Sequence, residues 1–253
     1  GSISGNGSLQ KTGLGELLLT GVNTVKNIAV QAGSLKGNTS SIQGDLELAK
    51  NTSVTFVQNI DGVFSHQISG QGSFVKDSSG RLVLSGINNF SGVVNVNAGT
   101  LVADKNSLGS GNILVNKQAN FELTGTGVID NSISGDGHLI KSGNDKLTLS
   151  SLGNMGSITV NNNGLYIHQK NTVNVSGTVD IKDGATLGVD MDAKPSIIAD
   201  RVVFGNGSTL DIANFTNDST GNGINIVEAK NGVTGQYIVT AGGNAIAVNV
   251  SKN

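Results

Sequence analysis

One phrase returns at a fixed interval. Residues 3–11 read ISGNGSLQK, residues 68–76 read ISGQGSFVK, and residues 133–141 read ISGDGHLIK. The interval is 65 residues, and it extends beyond the phrase. Leu17 and Leu19 return as Leu82 and Leu84 and again as Leu147 and Leu149. IAVQAGSL (28–35) returns as VNVNAGTL (94–101) and ITVNNNGL (158–165). A chain with such self-similarity builds an array of like units, each burying its apolar face against its neighbours.

The texture inside a unit is strand and turn. GTLVA, GNILVN and GTVDIKDG alternate apolar and polar residues, which places every second side chain on one face of a strand. Gly, Asn, Asp and Ser gather between these runs, where turns need them. No stretch keeps a 3.6-residue apolar period, and the gaps are too short for a βαβ helix. The chain has 253 residues, with 37 Gly, one Pro and no Trp. A single Pro suits a fold in which nearly every N–H joins a ladder. Propeller blades run to about 40–50 residues and carry aromatic signatures that are missing here. The expected fold is therefore all-β: a right-handed parallel β-helix of about 11–12 coils, three to each repeat. Residues 1–195 hold three repeat units, and 196–253 hold further, divergent coils. The core is expected to be a narrow aliphatic column. Leu9, Leu17, Leu19, Ile28, Val30, Leu35, Leu46 and Leu48 feed it.

Residues 7–35, GSLQKTGLGELLLTGVNTVKNIAVQAGSL, resemble the passenger-associated repeat of bacterial autotransporters. Copy two matches at Gly72, Phe74, Lys76, Leu82, Leu84, Gly86, Asn88, Gly92, Val96, Gly99, Thr100 and Leu101. Copy three matches at Leu139, Lys141, Gly143, Leu147 and Leu149, then departs, with Ser151 for a Gly and Gly153 for the Asn. The resemblance implies a passenger of a Gram-negative autotransporter, secreted or held at the cell surface. It also implies a membrane link only through a C-terminal barrel that these residues do not contain. The chain opens inside a repeat and reads as a fragment. Expected partners are a host cell-surface protein, matrix or a glycan. Adhesion is the first functional reading. A released effector acting on one host receptor is the second, and a carbohydrate-active enzyme the third.

Charge and motifs narrow the chemistry. A net charge of −2 with no basic run disfavours nucleic acid. No apolar run is long enough for a spanning helix. No Gly-x-Ser-x-Gly elbow accompanies His66, His138 or His168, and His138 reads as an outward turn residue. No catalytic residue, metal or cofactor is expected. Asp180, Asp183, Asp190, Asp192 and Asp200 are the densest acids, read as turn formers and a solvated strand face. The pairs Gly5/Gly7, Gly70/Gly72 and Gly135/Gly137 read as turn glycines, since no phosphate-loop sequence follows them. Lys11, Lys76 and Lys141 read as structural, their stems covering the core edge, or else as a stripe facing an acidic partner. Binding residues are sought where the repeat fades, at Asp190, Asp192, Lys194, Asn214, Asn217 and Asp218, because loops carry contacts more often than scaffold does.

Overall fold

The structure is a computed structural model and describes residues 1–216 and 224–246. Asn217 and Asp218 lie outside the described residues. The chain forms two compact units, Gly1–Glu122 and Leu123–Asn253. Each is a β-solenoid of parallel strands, and together they hold about ten coils.

In the first unit Ser4–Lys11, Thr24–Val30, Gln43–Leu48 and Ile68–Gly70 stack in parallel. Leu9, Ile28, Leu46 and Ile68 lie in one file. A second face runs Glu16–Leu18, Ser34–Gly37, Ser53–Val57, Ser73–Asp77, Val94–Val96 and Ile113–Val115. Between residues 3–11 and their return at 68–76 the chain makes two further passes, over 24–37 and 43–64, so one repeat is three coils. The third pass of the repeat carries an additional strand, Gly62–Phe64, which pairs with Arg81–Leu84.

Ile28, Val30, Leu35 and Leu48 are fully buried, Leu46 nearly so, and Leu19 is buried. Leu9 and Leu17 are only half-buried, because their strands end their sheets and are covered on one side. The column is not purely aliphatic. Phe56, Phe64, Phe74 and Phe90 form a buried ring cluster, with centroids 4.9 Å apart for Phe56–Phe64, 5.5 Å for Phe56–Phe74 and 6.3 Å for Phe74–Phe90. The sequence pattern marks these positions as apolar but does not show that they converge. They arrive from successive passes of the chain, over 43–64, over 68–84 and from the loop after it.

The glycine pairs of the recurring phrase are not all turn glycines. Gly7 lies inside the strand Ser4–Lys11, exposed, with nothing within 4 Å of where its Cβ would stand. Gly5 belongs to the same strand, and the ladder to Thr24–Val30 shifts register between Gly5 and Ser8. The extra residue is taken up there as a bulge, so the strand runs through the phrase without turning. In the later copies the first glycine does turn the chain: Gly70 ends its strand with φ +97°, and Gly135 follows Ile133–Ser134 with φ +131°. Gly72 is buried against the coil before it, where a Cβ would stand 2.6 Å from Leu48 Cβ. Gly137 does not take a positive φ. It is buried directly before the strand His138–Lys141, and its carbonyl accepts the N–H of Gly156 at 2.9 Å and of Ser157 at 3.2 Å. Gly137 thus bonds to the next coil as a ladder residue does.

In the second unit one face runs Gly127–Ile129, Leu147–Leu149, Gly164–Ile167 and Thr186–Asp190. A neighbouring face runs His138–Lys141, Ser157–Val160 and Val173–Ile181. The 17-residue strand Ile197–Ala213 joins the two. Its first part pairs with Val173–Ile181 and its last part with Thr186–Asp190, the bend falling at Gly205–Gly207. Val233–Ala241 continues the parallel stack, and Asn244–Ala245 folds back on it antiparallel.

Candidate functional site

Four of the acidic residues singled out in the sequence, Asp180, Asp183, Asp190 and Asp200, each have a partner of their own. Asp180 faces outward from Val173–Ile181 and meets Lys182 Nζ at 2.6 Å. Asp183 accepts the N–H of Asn206, on the next coil, at 2.9 Å, and Asp200 accepts from Asn231 Nδ2 at 2.7 Å. Asp190 is buried, and both of its oxygens accept from Asn214 Nδ2 at 3.0 Å. Asp190 Oδ1 also takes the Asp192 N–H, closing the turn in which Asp192 and Lys194 are exposed. Among the described residues no group of three or more His, Asp or Glu side chains is placed to hold a metal.

His138 is not an outward turn residue. It sits in the strand His138–Lys141, half-buried, with Nε2 2.8 Å from Thr159 Oγ1. Burial lowers its pKa, and the nearby Asp180 carboxylate opposes that shift. His66 stands 3.8 Å from Asp45 in an exposed pair.

Sequence reasoning passed over Tyr166. Its outward position on Gly164–Ile167 is flanked by Thr148 and Gly188 on the neighbouring strands, and Asp211 lies next to Gly188 on the strand beyond. The ring lies low on the sheet, since a Cβ on Gly188 would come within 2.1 Å of Tyr166 Cδ1 and one on Gly164 within 2.4 Å of Cε2. Lys146 Nζ sits 3.6 Å from the ring centroid, and His168 meets it edge-on at 6.0 Å. Burial, with Asp211 second, raises the Tyr166 pKa. The signal available in the sequence was the pair of glycines at strand positions beside the only aromatic of copy three.

The three recurring lysines are not a surface stripe. Lys76 and Lys141 are fully buried and Lys11 nearly so. Each ammonium turns back into the turn after its strand. Lys76 Nζ donates to the carbonyls of Ser78 (2.6 Å), Asp77 (3.0 Å) and Ala98 (3.0 Å), the last on the next coil. Lys141 Nζ donates to Ser142 (2.8 Å) and Gly143 (3.1 Å). Lys11 Nζ donates to Gly13 and, on the next coil, to Ala32 at 2.9 Å. The turn carbonyls stand in for water, as a buried cation requires. Desolvation lowers the Lys76 pKa to about 8 against the opposing Asp77 charge, and lowers that of Lys141 against Asp145.

Two asparagines perform a related task. Asn88 is buried; its Oδ1 accepts the Ile68 N–H at 2.7 Å and its Nδ2 donates to the Ser107 carbonyl at 2.7 Å. One side chain thus ties the coil before to the coil after. Asn23 makes the same clasp, from Ile3 N–H (2.9 Å) to Ser41 O (2.8 Å). The glycine of the AGSL and AGTL segments has a backbone reason. Gly33 has φ +69° and Gly99 φ +66°, and a Cβ on Gly99 would lie 2.4 Å from the Ser78 carbonyl oxygen.

Residues 9–36 and 74–103 match the family model of the passenger-associated-transport-repeat. These two stretches are similar to passenger-associated-transport repeats. Such repeats are typical of autotransporter passenger domains and imply a secreted or surface location. No curated protein and no solved structure matches the chain. The lysine cage, the asparagine clasp and the left-handed glycine all fall within the matched stretches, so in both repeats the recurring residues hold coils together.

Copy three lies outside the match and carries other residues at two of these positions. Asn163 takes the left-handed position with φ +50°, a conformation Asn tolerates better than other side-chain-bearing residues. Gly153 stands where the clasp residue would be. On the next coil Gln169 bonds back only to Leu152, donating to its carbonyl at 2.9 Å and accepting its N–H at 2.6 Å, while Nε2 also donates to the Asn171 carbonyl of its own loop at 2.9 Å.

Proposed function

We propose that this chain is a stretch of autotransporter passenger whose solenoid serves adhesion to a host surface. The observation that carries the reading is the pair of passenger-associated-transport repeats on stacked parallel coils. A stack of coils offers many like positions to a partner, and many weak contacts made together give strong attachment. In this reading a C-terminal barrel, outside these residues, anchors the passenger in the outer membrane. The acids that an enzyme acting on carbohydrate would draw on, Asp180, Asp183 and Asp190, are each tied to a different partner, which favours adhesion over hydrolysis by those three.

The test is binding of the purified chain to cultured host cells and to immobilised matrix. Saturable binding that does not depend on a single receptor supports adhesion. A response abolished by loss of one receptor selects the released effector instead. Absence of saturable binding to cells, matrix and glycans overturns both.

A further inference from the structure

We propose that the outward face built by Lys146, Tyr166, His168 and Asp211 binds a neutral sugar ring, whose C–H face lies on the Tyr166 ring in place of the Lys146 ammonium. The inference rests on the adhesive reading above and names its ligand class. Four observations lead to it. First, the Tyr166 ring is laid flat by the missing side chains of Gly164 and Gly188, which makes a platform on an otherwise pleated surface. Secondly, the cover over that platform is one exposed lysine 3.6 Å from the ring centroid. An exposed cation on a ring is held weakly, so a ligand displaces it at small cost.

Thirdly, Asp211 is set as an acceptor. Its side chain points outward yet the residue is only 9% exposed. Oδ1 takes both the Thr240 hydroxyl and the Gly243 N–H. Among the described residues no donor reaches Oδ2, so that oxygen is available to a ligand hydroxyl. Fourthly, exposed His168 stands edge-on at the rim of the ring with two nitrogens for further hydroxyls. An apolar platform ringed by a few fixed polar groups is the usual make-up of a small-ligand site.

The charge selects a neutral sugar. Asp190 sits on the strand next to Tyr166 and Asp211 on the strand beyond it, and a sialic or uronic carboxylate placed there would face like charge. A peptide is disfavoured by the backbone. Gly164–Ile167 and Thr186–Asp190 are paired on both sides, so no strand edge is open for a peptide to extend.

The experiment uses the whole chain on immobilised neutral oligosaccharides (lactose, N-acetyllactosamine, malto- and mannotriose) beside their sialylated and sulfated counterparts. Binding to at least one neutral member is expected. Tyr166→Ala should weaken it by about tenfold or more, the loss of an aromatic stack. Asp211→Asn keeps the bonds from Thr240 and Gly243 on its amide oxygen but replaces the accepting oxygen with a donor, and should also weaken binding while leaving the thermal melt near that of wild type. Lys146→Ala should bind as well as wild type or more tightly. Binding of wild type only to sulfated or sialylated members overturns the proposal. So does unchanged affinity in both Tyr166→Ala and Asp211→Asn. If cells bind the chain saturably and these variants bind them equally, the sugar site fails and the adhesive reading stands. If cells bind neither, the adhesive reading has failed.

Discussion

At the scale of the residue, the recurring lysine shows how a charged side chain can be a structural part. Lys76 brings a cation into the end of the core and directs it at carbonyls from its own turn and the next coil. Lys76→Met removes the donor for the Ser78 and Ala98 carbonyls and is expected to cost about 1–3 kcal/mol in urea unfolding. The pH dependence has a definite sign. The folded pKa is lowered to about 8 from 10.5. Between these values the unfolded chain holds a proton that the folded chain has released, so the Lys76 contribution rises with pH through that window and is lost as pH falls through 8. The stability difference between wild type and Lys76→Met should therefore move in favour of wild type between about pH 8 and about pH 10. A flat difference would contradict the burial of the ammonium. Asn88→Ala leaves the Ile68 N–H and the Ser107 carbonyl without their partner, and about 2 kcal/mol of destabilisation is expected in the same assay.

At the scale of the element, strands here are short and depend on what the turns permit. Gly99 holds a left-handed turn in which its Cβ would stand 2.4 Å from the Ser78 carbonyl oxygen. Gly99→Ala should cost about 2 kcal/mol, from the left-handed conformation and that close approach together. Asn163→Gly, at the matching turn of copy three, should cost less, because the backbone already suits glycine and only the Asn163 bond to the Asn144 carbonyl is lost. Comparing the two midpoints checks the claim that one backbone state underlies both. Packing between elements gives a larger effect. Phe74 touches Phe56 and Phe90 from its own coil, and Phe74→Ala is expected to cost about 3–5 kcal/mol, read from denaturant unfolding.

At the scale of the molecule, stability is a sum of coil-to-coil contacts. The described residues hold the coils together with aliphatic files, lysine cages and amide clasps, and no cluster suited to a metal is among them. Treatment with a chelator should therefore leave the melting temperature unchanged. A downward shift would point to an ion held by groups other than the described ones. Binding belongs to this scale too. Of the candidates chosen from the fading of the repeat, Asp190, Asp192 and Lys194 fall at one turn and Asn214 on the next coil, where Asp190 and Asn214 are bonded to each other and Asp192 and Lys194 remain exposed.

The sequence by itself determined the strand texture, the three-coil repeat and the parallel solenoid, because a period-two pattern and a 65-residue interval leave few other ways to bury the apolar files. It also determined which residues recur. Only the tertiary structure decided what they do. Gly7 and Gly137 look like turn residues in a linear reading, yet one lies within a bulged strand and the other bonds to the next coil. Lys76 stands in phase with Phe74, so its stem was legible at the core edge, but the partners of Lys76 and Asn88 were not; they include the Ala98 and Ser107 carbonyls, one coil away. The same holds for Tyr166, whose platform is made by Gly188 on the next strand and whose acceptor, Asp211, lies a strand further. Neighbours across a ladder stand about 4.8 Å apart in space yet a full coil apart in sequence, and that distance along the chain is what hides such contacts from a linear reading.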